Sequence, residues 1–287
     1  MIQFTTNKEG RLYVEEWCVS PTVYLDHWAW VKISRSETLA TRFSSALKAR
    51  GGTLAFSWLN LVEFSKVTDE LQTREADILL DTISPYAFVL NPNFFNVMNA
   101  EDKLLAGEEP TAPHADLVTL RLFVNLSDQH SLKPFPPQNL FRHVPATGMA
   151  NAFDSFADLV IEKVTAFRQE HDGDKSFRKR VKQLPTGKYI QRGTRCIASE
   201  LIGNLLVDKG SRFDRSDAVD LCHAIVPVAY CDYVLLDARW TAMVERAQGR
   251  IRDGGLVFQT AKAITEKDNG LERFLQELES SRTGSVS

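Results

Sequence analysis

The sequence is poor in the features that mark several familiar protein classes. Its four cysteines, Cys18, Cys196, Cys222 and Cys231, include no CxxC pair. That spacing argues against a zinc ribbon and a disulfide framework, and the thiols read as small buried hydrophobes in a reducing compartment. Long apolar runs are missing too. The most apolar stretch, near Leu221–Leu236, is interrupted by His223, Pro227 and Asp232, too often for a bilayer span. The opening residues, MIQFTTNKEGR, carry no apolar segment of the secretory kind, so the expectation is a cytoplasmic chain with no membrane partner. Neither sign of charge dominates: 34 Lys and Arg oppose 37 Asp and Glu. A basic face for nucleic acid must therefore come from local clustering. The GxSxG, HExxH, GxGxxG and zinc-deaminase signatures are absent, and PTGK at 185–188 lacks the glycine-rich lead of a phosphate loop.

What is present suffices for a sizeable core. The chain has 287 residues, 44% of them hydrophobic and 25% charged, so it needs neither disulfides nor structural metal to fold. RLYVEEW reads as a hairpin arm. Val23–Asp26 (VYLD) reads as a buried strand, and helical spacing runs from about Ser34 to Arg50 with Gly51-Gly52 as its stop. Thr53–Ser57 is the next strand. A helix carrying Leu59, Val62 and Glu63 follows, then another at Glu75–Ile83 and a strand at Tyr86–Leu90. This alternation predicts an α/β fold, a Rossmann-like three-layer sandwich around a parallel sheet. Residues of about 92–193 break the rhythm with proline-rich loops and an amphipathic helix at about Asn151–Glu170. They read as a helical insertion or cap within a single domain spanning 1–287, whose core is about 20–91 and 194–260. Helices at Thr194–Val207 and Ser216–Ile225, a buried strand at Tyr233–Asp237, a last strand at Leu256–Gln259 and a helix at Leu271–Glu279 complete the reading.

Two of these strands end in aspartate, Asp26 and Asp237. In an open parallel sheet ligands collect beyond the carboxyl ends of the strands, and a carboxylate closing a buried apolar run is costly unless it is paired or binds metal. Glu63 lies inside the apolar helix segment SWLNLVEF. Asp217, Asp220 and His223 follow one another at intervals of three, on one face of a helix. Ser216 is a candidate cap for that helix, with Asp217 in its first turn. His223, on an apolar face, reads as a packed, hydrogen-bonded residue.

The order of these segments resembles the PIN-domain nucleases. It runs from an apolar strand ending in Asp, through a helix acid, to Asp-x-x-His-Ala and then Tyr-Cys-Asp-Tyr-Val-Leu-Leu-Asp-Ala-Arg-Trp. The likeness covers roughly residues 23–63 and 214–241. It implies a metal-dependent endoribonuclease acting on RNA, with Mg²⁺ or Mn²⁺ held by Asp26, Glu63, Asp220 and Asp237. Asp217 and Asp232 are further candidates, read first as a helix-turn carboxylate and a turn residue. Hard divalent cations prefer carboxylate oxygens, and one bound between repelling carboxylates can generate hydroxide beside a scissile phosphate. Trp28 and Leu236 depart from the family's pattern, which motivates the alternative of an inactive PIN-like RNA-binding or scaffold module. A homodimer, and a protein inhibitor if the chain is the toxin of a toxin–antitoxin pair, also follow from the resemblance.

The run SFRKRVKQLPTGKYIQRGTR supplies a basic strip: Arg178, Lys179, Arg180, Lys182, Lys188 and Arg192, with Phe177 and Tyr189 interleaved. These residues are candidates for binding RNA backbone and bases. His171-Asp172 invites comparison with the His-Asp phosphohydrolases, but beside Gly173 it reads as a helix end.

Overall fold

The structure is a computed structural model and describes residues 1–6, 12–108, 112–120, 139–143, 149–185, 193–207 and 212–280. A hairpin comes first, with β1 (Ile2–Thr6) antiparallel to β2 (Leu12–Glu16). The strands β3 (Thr22–Leu25), β4 (Thr53–Phe56), β5 (Ala87–Val89), β6 (Tyr233–Leu235) and β7 (Lys262–Ile264) form a second sheet. Its order is β5-β4-β3-β6-β7, with every pairing parallel. TVYL, TLAF and AFV are buried throughout, as expected of strands covered on both faces.

From β3 the chain moves outward through β4 to β5, then returns to β6 on the other flank of β3 and ends at β7. Strand order therefore reverses between β3 and β6, the switch point where open α/β sheets place their ligands. The helices that flank the sheet contact one another in two groups. One group comprises α1 (His27–Ser34), α2 (Glu37–Ala49), α4 (Glu70–Ile83) and the final helix α12 (Gly270–Ser280). The other comprises α5 (Phe94–Leu105), α9 (Gly193–Val207), α10 (Arg215–Tyr230) and α11 (Ala238–Asp253). The remaining helices are α3 (Trp58–Ser65), α6 (Leu140–His143), α7 (Met149–Glu170) and α8 (Lys175–Lys182), with α3 packed on α6 and α7. This is the predicted α/β architecture, a five-stranded parallel sheet flanked by helices.

Glycine is needed where the first crossover closes. Gly51 has φ +61° and ends α2. A Cβ on Gly52 would lie 2.6 Å from the carbonyl oxygen of Pro21, so only glycine lets this backbone reach the start of β3. Thr53 then donates its N–H to that same carbonyl at 2.9 Å, which sets the β3–β4 register.

The helix expected at about Ser34–Arg50 is α2, opened by Ser36, which accepts from the N–H of Leu39; the preceding helix α1 at His27–Ser34 has no counterpart in the sequence reading. Two expectations need correction. Leu256–Gln259 is not a strand; Val257 is fully exposed at 99%, and the edge strand is Lys262–Ile264. Asp214, not Ser216, caps α10. Helix α11 was not anticipated. Among the described residues no helix is long and apolar enough to cross a membrane.

Candidate active site

Each strand-end aspartate also starts a helix. β3 runs straight into α1, and Asp26 Oδ1 accepts the N–H of His27 at 2.7 Å. At the end of β6, Asp237 Oδ1 accepts the N–H of Trp240 at 2.9 Å and caps α11. Carboxylates at helix N-termini satisfy orphan donors and meet the positive end of the dipole. Leu25 and Leu235 are register partners, and Asp26 donates its own N–H to the carbonyl of Leu235 at 3.0 Å. The two aspartates therefore leave the same rim of the sheet, at its switch point.

Glu63 is brought there by α3. A capping box of Ser57 and Asn60 opens that helix, and Asn60 Nδ2 donates to the carbonyl of Leu25 at 3.0 Å, tying the helix to the end of β3. Glu63, one turn further on, faces His223 of α10, with Oε2 and Nε2 separated by 3.2 Å. Neither atom has a partner in hydrogen-bonding geometry. His223 is fully buried. Its Nδ1 lies 2.6 Å from the phenol oxygen of Tyr24, which in turn lies 3.0 Å from Ser57 Oγ. Asp220, one turn earlier on α10, accepts the indole N–H of Trp240 at 3.1 Å. Trp240 thus holds Asp237 through its backbone and Asp220 through its ring.

The charges in this cluster act on one another. Burial, helped by Glu63 and Asp237 and opposed by His223, raises the Asp26 carboxyl to about 6. Burial and then Asp26, Asp237 and Glu63 raise Asp220 to about 7, again against His223. Burial alone would lower His223, but Glu63, Asp26 and Asp220 outweigh it and bring the imidazole to about 9. Such mutual shifts are the signature of ionisable groups sharing one poorly solvated site.

The donor set fits a divalent cation. Ligand atoms of Asp26, Glu63 and His223 all lie within 4.8 Å of one another. Among the described residues no other histidine, cysteine or acid joins so tight a group; Asp220 and Asp237 border it. Sequence reasoning placed the four acids together but left His223 as a packing residue. It is packed, and it also faces two of those acids. The spacing of three residues from Asp220 was the available signal.

The other candidates lie elsewhere. Asp217 is occupied in the capping box with Asp214 and pairs with Arg239. Asp232 lies at the opposite, amino end of β6, where it accepts from the N–H of Thr22 at 2.7 Å and from Gln259 at 2.6 Å. It is therefore no partner of Asp237 at a metal. His171-Asp172 ends α7 beside Gly173, whose φ is +78°. Arg178, Lys179, Arg180 and Lys182 all belong to α8, which packs on α9. The guanidinium of Arg250 caps its last turn through the carbonyls of Val181 and Gln183. Arg180 is engaged with Ser176 and Asp174. Arg178, Lys179 and Lys182 have no acidic partner among the described residues. Lys188 and Arg192 lie outside the described residues. No family model, curated protein or solved structure matches the chain.

Proposed function

We propose that this chain is a PIN-like, metal-dependent endoribonuclease of the cytoplasm whose site comprises Asp26, Glu63, Asp220 and Asp237. The observation that carries this reading is the departure of Asp26 and Asp237 from paired ends of β3 and β6, with Glu63 and Asp220 turned toward them. A divalent ion such as Mg²⁺ or Mn²⁺ would supply a hydroxide at neutral pH and charge neutralisation at a scissile phosphate. Asp26 and Glu63 would hold such an ion, with Asp237 at the same rim of the sheet beside them. Asp220, its carboxylate oriented by Trp240, is suited to take a proton from an attacking water. The unpaired cations of α8 are suited to backbone phosphates of single-stranded RNA.

The test is cleavage of end-labelled single-stranded RNA with Mg²⁺ or Mn²⁺. Expected are loss of cleavage in EDTA and a fall of about 100-fold or more in Asp26→Asn and Asp237→Asn, the usual scale for a group acting on developing charge. Full metal-dependent cleavage by both variants would falsify the assignment. A second reading, an inactive scaffold retaining the fold, is favoured by one observation. His223 already sets a positive charge against Glu63, which partly relieves the repulsion that a metal would relieve. Absence of both cleavage and any metal response would select that reading.

A further inference from the structure

His223 is more than a counter-charge to the carboxylates. It is fully buried, and its two ring nitrogens are treated differently by their surroundings. Nδ1 is engaged by the Tyr24 hydroxyl at 2.6 Å, and that hydroxyl is itself held by Ser57. Nε2 makes no hydrogen bond; it lies 3.2 Å from Glu63 Oε2 without hydrogen-bonding geometry and faces the space bounded by Asp26 and Glu63. One ring nitrogen hydrogen-bonded and the other directed at a carboxylate pair is the arrangement of a metal-binding histidine, in which the outer partner fixes tautomer and ring orientation. Donor softness then bears on the choice of metal. Carboxylate and water oxygens suit Mg²⁺ and Mn²⁺ alike, whereas an imidazole nitrogen is taken up by transition ions, Mn²⁺ among them, more readily than by Mg²⁺.

We propose that His223 ligates through Nε2 beside Asp26 and Glu63, so that the centre has a mixed nitrogen–oxygen donor set and selects a divalent transition ion over Mg²⁺. This rests on the metal-centre part of the function proposed above and is independent of whether RNA is the substrate.

The test uses the full chain stripped with EDTA and then loaded with Mn²⁺. Pulsed electron paramagnetic resonance should show nitrogen coupling to the bound Mn²⁺, and that coupling should shift when the protein is made with ¹⁵N-histidine. Calorimetric titration should give tighter binding of Mn²⁺ than of Mg²⁺, with His223→Gln lowering Mn²⁺ affinity by about tenfold or more while changing Mg²⁺ affinity much less. Because His223 is buried, that variant must first unfold cooperatively without metal. If it does not, His27→Gln serves instead, and retention of the nitrogen coupling in it assigns the signal away from the neighbouring imidazole. Mn²⁺ bound without nitrogen coupling overturns the ligation of His223 and leaves the carboxylate centre standing. Failure of both ions to bind overturns both.

Discussion

Tyr24 and His223, 199 residues apart in the chain, meet through a hydrogen bond of 2.6 Å between phenol oxygen and Nδ1. Both side chains are fully buried, so neither group has water as a substitute partner. Tyr24→Phe strands the imidazole nitrogen and leaves the Ser57 hydroxyl with only its capping-box contacts at Asn60. The expected cost is about 1–3 kcal/mol, the range for a buried polar group left unsatisfied. Urea denaturation should show it as a lower midpoint at unchanged slope. An unchanged midpoint would mean that the bond contributes nothing to the fold.

Stability of the metal-free chain should fall as pH rises. Asp26 and Asp220 are raised from 3.8 to about 6 and about 7. The stabilisation they give when protonated is complete below pH 3.8 and lost as pH climbs through those values. His223 is raised from 6.5 to about 9, so its contribution is complete below pH 6.5 and lost through pH 9. Glu16, raised by burial to about 8, adds with the same sign. His114, lowered by burial to about 4, acts oppositely below pH 6.5, and the amino terminus, lowered by burial from 8.0 to about 6, acts oppositely between about pH 6 and 8, where the raised groups outnumber it. Linkage therefore gives a decline between about pH 6.5 and 9. Urea midpoints in EDTA across that range should follow it, and saturating Mn²⁺ should flatten it. A flat metal-free profile would contradict the crowded cluster.

Asp237 serves the site and the start of α11 together, and the two roles separate by substitution. Asparagine keeps a side-chain oxygen for the N–H of Trp240; alanine does not. Asp237→Ala should therefore lose about 1 kcal/mol as a missing cap, while Asp237→Asn should stay close to the parent in metal-free denaturation. Equal stability of the two variants would show that the cap at 2.9 Å is dispensable.

Replacing Arg178, Lys179 and Lys182 together with alanine should weaken RNA binding most at low salt. If each contacts one phosphate of a single strand, the slope of log affinity against log salt should shrink by about 2. Fluorescence anisotropy with labelled RNA measures it, and an unchanged slope removes α8 from the interface. Arg180 is left in place because it is already tied to Ser176 and Asp174.

Much of the sheet was legible because its strands are short apolar runs ended by turn residues. VYLD and YVLLD announced both their burial and the carboxylates at their ends. Leu256–Gln259 carries a similar apolar pattern, yet Val257 points wholly into solvent; a four-residue run is too short to separate a strand from a loop. Helix α11 carries the ordinary amphipathic spacing, with apolar Trp240, Val244, Ala247 and Ile251 buried among charges, so nothing physical hid it. The two rims of the sheet cannot be told apart from composition. Asp232 and Asp237 differ by five positions, yet they stand at opposite ends of one three-residue strand. His223 was undervalued because its partners, Tyr24 and Glu63, come from distant segments, and only the completed sheet brings them together.

The pairing of Leu25 with Leu235 also orders events during synthesis. Two of the four acids, and the histidine between them, belong to the stretch 220–237, which leaves the ribosome long after Asp26 and Glu63. A nascent chain carrying only the earlier half has an unfilled slot beside β3 and half of the acidic cluster, so the cluster cannot close until residues 220–237 have been made and β6 has docked against β3.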